Sequence, residues 1–379
     1  MPDQRGEYTS LEICAGAGGQ AVGLHEAGFR HRALIEVDPH AVRTLEHNTR
    51  RAGWKNSEGE DCAILPWDLT DFDMDELKQV LGDEPPALLA GGVPCPPFSL
   101  AGKQLGEDDE RDLFPVMLDM AEELNPRAVM IENVRGLLEP AHKFAPYRDR
   151  IRARLEEMEY RILGWDVLEA RDYGVPQLRP RSILVAMHKD DAVYFQAPRG
   201  VKHEVTVAEA LDASMRERYL ASKRPDAMDY YLRWKNKAEE RGTVAPTLVG
   251  GSKKHGGADL GPTRAKRAWA ALGVDGLGVA NALGETVDED RDLFGDLGPK
   301  LTVAQAALIQ GFPADWEFQG RKTAAYRQVG NAFPPPVAQA VGEAIISALR
   351  AADAGQEPPE TLPEGLLVEA GPRQLSLTG

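Results

Sequence analysis

From Tyr8 to about residue 189, short apolar runs alternate with helical patterns, and nothing else in the 379-residue chain narrows its fold as much. Residues 11–14 read as a strand, followed by glycines and a helical pattern over 21–27. A second strand over 33–36 precedes a helix over 40–48. Further strands are expected at 87–90, 128–131 and 182–187, with helices near 113–124 and 148–158. Such alternation predicts an α/β fold, a doubly wound and mostly parallel sheet. From about 190 the pattern stops, and 191–295 read as a second, smaller, irregular domain containing the loop-like GGSKKHGG (250–257). Helical periodicity returns in TVAQAALIQ and PVAQAVGEAIISALR, so 8–190 and 296–350 form one discontinuous domain. The Pro-, Glu- and Gly-rich stretch 351–379 reads as a disordered tail.

Composition removes several classes. No apolar run reaches the roughly 18 residues a membrane span needs, so no membrane partner is expected. MPDQRGEYTS has neither a basic segment followed by an apolar core nor a cleavage site, so no secretory signal is seen. The three cysteines, Cys14, Cys62 and Cys95, form no CxxC pair, which argues against a disulfide framework or a cysteine zinc site and for a cytoplasmic setting. His142, His203 and His255 show no ligand spacing, and no metal is expected. The net charge of −16 speaks against a polyanionic partner. Its distribution reverses that, because 216–267 hold 13 Lys and Arg against 6 Asp and Glu. A basic segment on an acidic protein can grip phosphates, although a solvated charged face gives the same pattern.

The first turn, ICAGAGGQAVGL (13–24), is strand, glycine turn and helix start. Gly16, Gly18 and Gly19 permit positive φ and close approach of a ligand, and Cys14 and Ala15 lie beside them. The spacing is not that of a dinucleotide turn, and a purely structural turn would look similar. The next strand ends in Glu36, about twenty residues on, where a carboxylate can accept both ribose hydroxyls. Asp68 follows the third strand and can accept from an adenine amine. Three such strand ends favour an adenosine-containing cofactor, and S-adenosylmethionine suits a turn with no pyrophosphate to hold.

Cys95 stands in GGVPCPPFSLAGKQ (91–104), where Pro94, Pro96 and Pro97 preclude helix and central strand. It therefore projects from a stiff loop at a strand end, where α/β sheets carry their chemistry. On its own it could equally be an inert loop thiol. AVMIENVRGLL (128–138) places Glu132 and Asn133 after another buried strand, and DYGVPQLRPRSILVA sets Arg179 and Arg181 on one side of an extended segment.

GGVPCPPFS, IENV, QLRPR and the late RQVGNAFPPPVA (327–338) together resemble the ordered motifs of the DNA (cytosine-5) methyltransferase family, of the bacterial type II kind. The resemblance spans roughly 8–189 and 296–349. It implies a Rossmann-like, S-adenosylmethionine-dependent enzyme that methylates C5 of a cytosine flipped out of double-stranded DNA. Cys95 would add to C6, Glu132 would bond N3, Arg181 would hold the base oxygen, and Arg179 would support that loop. Asn331 and Ala332 would complete the cofactor site beside Pro94, and Asn331 would tie the late helix to the catalytic loop. Ser99 and Gln104 would lie in a loop closing over DNA. Thr247 matches a recognition-domain threonine near the flipped base, and Lys253, Lys254, Arg264, Lys266 and Arg267 are candidates for DNA contact. A monomer is expected; the sequence does not tell whether a cognate restriction endonuclease acts at the same site. Two departures stand out: Cys14 and Val37 occupy positions where many members carry an aromatic against adenine. Either the cofactor is held less tightly or Trp67 contributes. The motifs do not identify the base that removes the C5 proton, water being one alternative.

Overall fold

The computed structural model describes residues 8–56, 59–94, 112–250, 258–282, 288–361, 363 and 365–367. Seven strands build its sheet: β1 (Thr9–Ile13), β2 (Arg30–Ile35), β3 (Ala63–Leu65), β4 (Leu88–Gly91), β5 (Ala128–Val134), β6 (Tyr160–Glu169) and β7 (Pro180–His188). Their order is β3-β2-β1-β4-β5-β7-β6, with β1 to β5 parallel and β7 antiparallel to both of its neighbours. The order reverses between β1 and β4, and the crevice beyond the carboxyl ends of such strands is where open α/β sheets bind ligands.

The helices follow the strands along the chain. Those of the first half are α1 (Gly19–Ala27), α2 (Pro39–Ala52), α3 (Met74–Leu81), α4 (Phe114–Leu124), α5 (Ala145–Glu157) and the short α6 (Lys189–Ala192). Leu11 and Ile13 of β1 pack toward α3 and α4, through Leu77 and Met117, in one buried cluster. With a side-chain period of two, Ser10 and Glu12 face the other side of the sheet. There α1 meets the late helix α13 (Pro335–Asp353). A Cβ on Gly23 would stand 2.2 Å from the Pro335 carbonyl oxygen, so glycine is what lets α1 and α13 approach. The late helix thus packs against the sheet's first helix.

Residues 191–295 are more helical than their sequence suggested, with α7 (Val207–Leu220), α8 (Ala227–Arg241), α9 (Thr263–Ala271) and the short α10 (Glu289–Asp292). Thr206 opens α7 with a reciprocal capping box through Glu209, a pairing that stabilises a helix start by about 1 kcal/mol. Their apolar faces, with Met215, Trp234 and Trp269, share a core with α11 (Val303–Gln310) and α12 (Lys322–Asn331). The segment beyond 350 also differs from the expected tail: α13 runs to Asp353, and Leu366 is buried, its N–H donating to Asp166 of β6 at 2.7 Å. Among the described residues no helix is long and apolar enough to cross a membrane, and no cluster of His, Cys, Asp and Glu could hold a metal ion.

Candidate active site

A cavity of about 350 Å³ lies at the carboxyl ends of the parallel strands and runs from Asp68, after β3, to Glu132 on β5. Of the expected cofactor residues, Cys14, Ala15, Gly16, Gly19, Glu36, Val37, Asp68, Pro94, Asn331 and Ala332 line it. Gly18 does not. A Cβ there would lie 2.7 Å from the Trp316 ring and 2.9 Å from Leu45, so this glycine serves packing beneath the turn. Gly16 is at φ 56° with nothing within 4 Å of its Cβ direction, and so leaves the cavity open at the turn.

Glu36 is held rather than merely present. One carboxylate oxygen accepts the Gly16 N–H and the other the Asp38 N–H, both at 2.7 Å. Burial raises its pKa, while N–H donors from Asp38, Gly16 and Val37 favour the charged form. Each oxygen keeps a second lone pair for a ligand. Asp68 accepts from the Thr70 N–H at 3.0 Å and hydroxyl at 2.8 Å, and those bonds lower its pKa. Two carboxylates at the ends of β2 and β3 therefore offer acceptors to hydroxyl and amine groups. Val37 is 60% exposed at the rim, and the half-buried Trp67 supplies an aromatic face to the same cavity.

At the other end stands Glu132, its side chain 14% exposed and its Oε1 2.8 Å from the Arg181 Nε. The pair forms because β5 and β7 are antiparallel neighbours, with Glu132 opposite Ile183 and Val134 opposite Arg181. Burial pushes the Glu132 carboxyl up, and the Arg181 and Arg179 guanidiniums only partly offset this. Asn133 donates to the Val93 carbonyl at 2.8 Å, fixing the end of β4 from which the Cys95 loop departs. Pro94, the chain neighbour of Cys95, lines the cavity, and its carbonyl accepts from Leu113 at 3.3 Å. Cys95, Ser99 and Gln104 themselves lie outside the described residues. Cys14 does not offer an alternative nucleophile, since burial first, then Glu36 and Glu12, push its thiol up to about 12.

The profile of C-5 cytosine-specific DNA methylases matches residues 8–347. The chain belongs to that family. It is 47% identical over 348 residues to the type II methyltransferase M.NaeI of Lentzea aerocolonigenes, covering 92% of this chain and 76% of the relative. With the type II methyltransferase M.NgoMIV of Neisseria gonorrhoeae it shares 45% identity, over 91% of this chain and 99% of the relative. The fold resembles that of the methyltransferase EhMeth of Entamoeba histolytica, with a TM-score of 0.58 at 14% identity, covering 90% and 98% of the two chains. The protein is thus a DNA (cytosine-5) methyltransferase by class, on a Rossmann-like sheet.

In this methyltransferase Arg179 is 1% exposed and works inside the protein. It donates to the Leu248 carbonyl at 2.7 Å and the Gly330 carbonyl at 2.8 Å, joining the 177–181 loop to the segment before 250 and to α12. Thr247 donates its hydroxyl to the Leu178 carbonyl, so it fixes the Arg loop. Asn331 lies against Gly250, where an added Cβ would fall 2.2 Å from its Oδ1; the contact seen is therefore with the segment ending at 250. Arg264 and Arg267 are exposed on α9, whereas Lys266 pairs with Asp259 at 2.8 Å. Lys253 and Lys254 lie outside the described residues.

Two groups escaped the sequence reading. Gln177 and Gln310, both fully buried, bond each other; Gln177 also accepts from the Leu248 N–H at 3.0 Å and Gln310 donates to the Ala332 carbonyl. Glu12 and Gln20 line the cavity floor. An acidic residue inside the apolar run LEIC was the available signal for Glu12, and the QLRPR motif held Gln177 without indicating its partner; for Gln310 and Gln20 there was none.

Proposed function

We propose that this enzyme transfers a methyl group from S-adenosylmethionine to C5 of a cytosine flipped out of double-stranded DNA, as the modification half of a type II restriction–modification pair. One observation carries the reading. Glu132, with Arg181 bonded to it, opens onto the same cavity as Glu36 and Asp68, and the residue preceding Cys95 forms its wall. The cavity suits the cofactor: free lone pairs on Glu36 and Asp68, an open face at Gly16, and unpartnered buried polar atoms on Glu12 and Gln20. Glu36 would hold the ribose hydroxyls and Asp68 the adenine amine, with Trp67 against the ring.

When bound, S-adenosylmethionine supplies an electrophilic methyl on a sulfonium. The protein's task is to make cytosine C5 nucleophilic. The Cys95 thiolate adds to C6, and the ring electrons shift to give an enamine whose carbon is C5. Glu132, whose carboxyl burial pushes up, donates in its protonated form to N3 and offsets charge building on the ring. Arg181 holds both Glu132 and the base oxygen. Once C5 carries the methyl group, loss of its proton to a base expels the Cys95 thiolate and restores the aromatic ring. Flipping the base out of the stack costs a few kcal/mol, which contacts from the basic segment to phosphates would offset.

Expression in a host without cytosine methylation, followed by genome-wide mapping of 5-methylcytosine, tests this. Methylation at one short motif, absent with Cys95→Ala, is expected. An unmethylated genome with folded protein would contradict the reading, and methylated RNA in the same cells would redirect it.

A further inference from the structure

Arg327 stands on α12 with Ala324, Gln328 and Asn331, one face of the helix at spacings of three and four, and that face forms part of the cavity wall. Glu12, Glu36, Asp38, Asp68 and Glu132 line the same cavity, yet Arg327 pairs with none of them. Its Nε is buried without a hydrogen-bond partner, and among the described residues the guanidinium has no other bond, ion pair or ring contact. The groups around it are already engaged. Gln328 donates to the Gln319 carbonyl at 2.8 Å and accepts from the Thr44 hydroxyl at 2.6 Å, and Arg181 is bonded to Glu132. A guanidinium has five donors and cannot accept. One that is half-buried in a wall of carboxylates and meets none of them is set for an anion that arrives with a ligand.

The packing of this turn of α12 says which anion. A Cβ on Gly250 would stand 3.0 Å from the Arg327 carbonyl oxygen, and one on Gly330 would stand 2.5 Å from the Gly250 nitrogen. The turn is thus pressed against the end of the segment that Arg179 ties, through Leu248, to the 177–181 loop. In the sequence Lys253 and Lys254 follow Gly250 at once. Arg327 therefore stands between the cavity and the stretch proposed to contact DNA, and a strand that delivers a base past Gly250 brings its phosphates to this rim. We infer that Arg327 binds a backbone phosphate of the DNA strand whose cytosine enters the cavity, an inference that rests on the reading of duplex DNA as substrate above. Such a contact positions the strand and reads no sequence.

The test is binding of the full chain to a short duplex carrying the mapped site, followed by fluorescence anisotropy with saturating S-adenosylhomocysteine from about 50 to 200 mM salt. Wild type that binds no duplex contradicts the substrate reading itself. If wild type binds, Arg327→Met is expected to lower the slope of log K against log salt by about one, the counterion of a single phosphate. Binding at the lowest salt should weaken about tenfold, equally for a duplex without the site. Arg327→Lys keeps the charge and should keep the wild-type slope. Affinity for S-adenosylhomocysteine without DNA should stay within about twofold in both variants, which also shows that they are folded. An unchanged slope in Arg327→Met, or an equal fall of slope in Arg327→Lys, would overturn the inference, as would a loss confined to S-adenosylhomocysteine. Arg327→Gln replaces Arg327→Met should the latter fail to fold, and is judged by the same slopes.

Discussion

The Arg181 guanidinium lies 2.8 Å from the Glu132 carboxylate at the mouth of the cavity, and burial still raises the glutamate's pKa against that attraction. The two effects have opposite signs, so removing this arginine leaves only Arg179 to oppose burial. Arg181→Ala is expected to raise the Glu132 pKa further and to lower kcat about hundredfold by loss of a hydrogen-bonding cation. If protonated Glu132 is the working form, activity falls as pH rises through its pKa, and the alkaline limb of the kcat profile must move upward in the variant. An unmoved limb would mean that another group sets it. Glu132→Gln should lower kcat about 10²–10⁴-fold and abolish the limb.

Cysteine chemistry separates the three thiols. Burial pushes both Cys14 and Cys62 up to about 12, so neither is ionised at neutral pH. Iodoacetamide at pH 7.5 followed by peptide mass spectrometry is expected to label Cys95 alone. Comparable labelling of Cys14 would contradict the electrostatic reading of that loop.

Arg179 anchors three segments through two carbonyls, Leu248 and Gly330. Arg179→Met strands both acceptors inside the protein, and a loss of about 2–4 kcal/mol in urea unfolding is expected. Because Leu248 adjoins the segment proposed to contact DNA and Gly330 the wall of the proposed cofactor cavity, affinity for DNA and for cofactor should fall together. A variant with wild-type stability would show that the buried charge is not bonded as described.

His31 bonds Ser10 at 2.9 Å and the Ala21 carbonyl at 3.0 Å, and stacks on Trp54. Burial, then the charge of His25, lower its pKa to about 3. The unfolded chain, with an ordinary histidine near 6.5, then binds more protons than the native state at acid pH. Stability is thus full above about pH 6.5 and drains as pH falls toward the folded value, by on the order of 3 kcal/mol at pH 4. Melting temperature followed from pH 7 to 4 should drop less steeply in His31→Gln than in wild type. Parallel curves would assign the acid loss to other groups.

The sheet was legible because its parallel strands are continuous apolar runs separated by glycines and helical patterns. β6 was not, since a register shift between Ile162 and Gly164 breaks its period of two. The cavity's carboxylates were also legible, Glu36 and Asp68 each standing where a strand ends. What the chain order hides is contact over distance: Arg179 reaches carbonyls 69 and 151 residues away. Gly18 looked like its neighbours in the glycine turn, and only the packing of Trp316 beneath it shows its different duty. Gln20 was invisible for the converse reason, since an orphaned amide is recognised only once its surroundings are known.

The central claim, that a Cys95 thiolate joins cytosine C6 beside this cavity, is tested most directly by trapping. A duplex carrying the mapped site with 5-fluorocytosine as target has no proton at C5 to lose, so elimination of the thiolate is blocked after methylation. With S-adenosylmethionine present, the account predicts a complex that survives denaturation, with the nucleotide on the peptide containing Cys95. A duplex released intact on denaturation, or an adduct on Cys14 or Cys62, would contradict it.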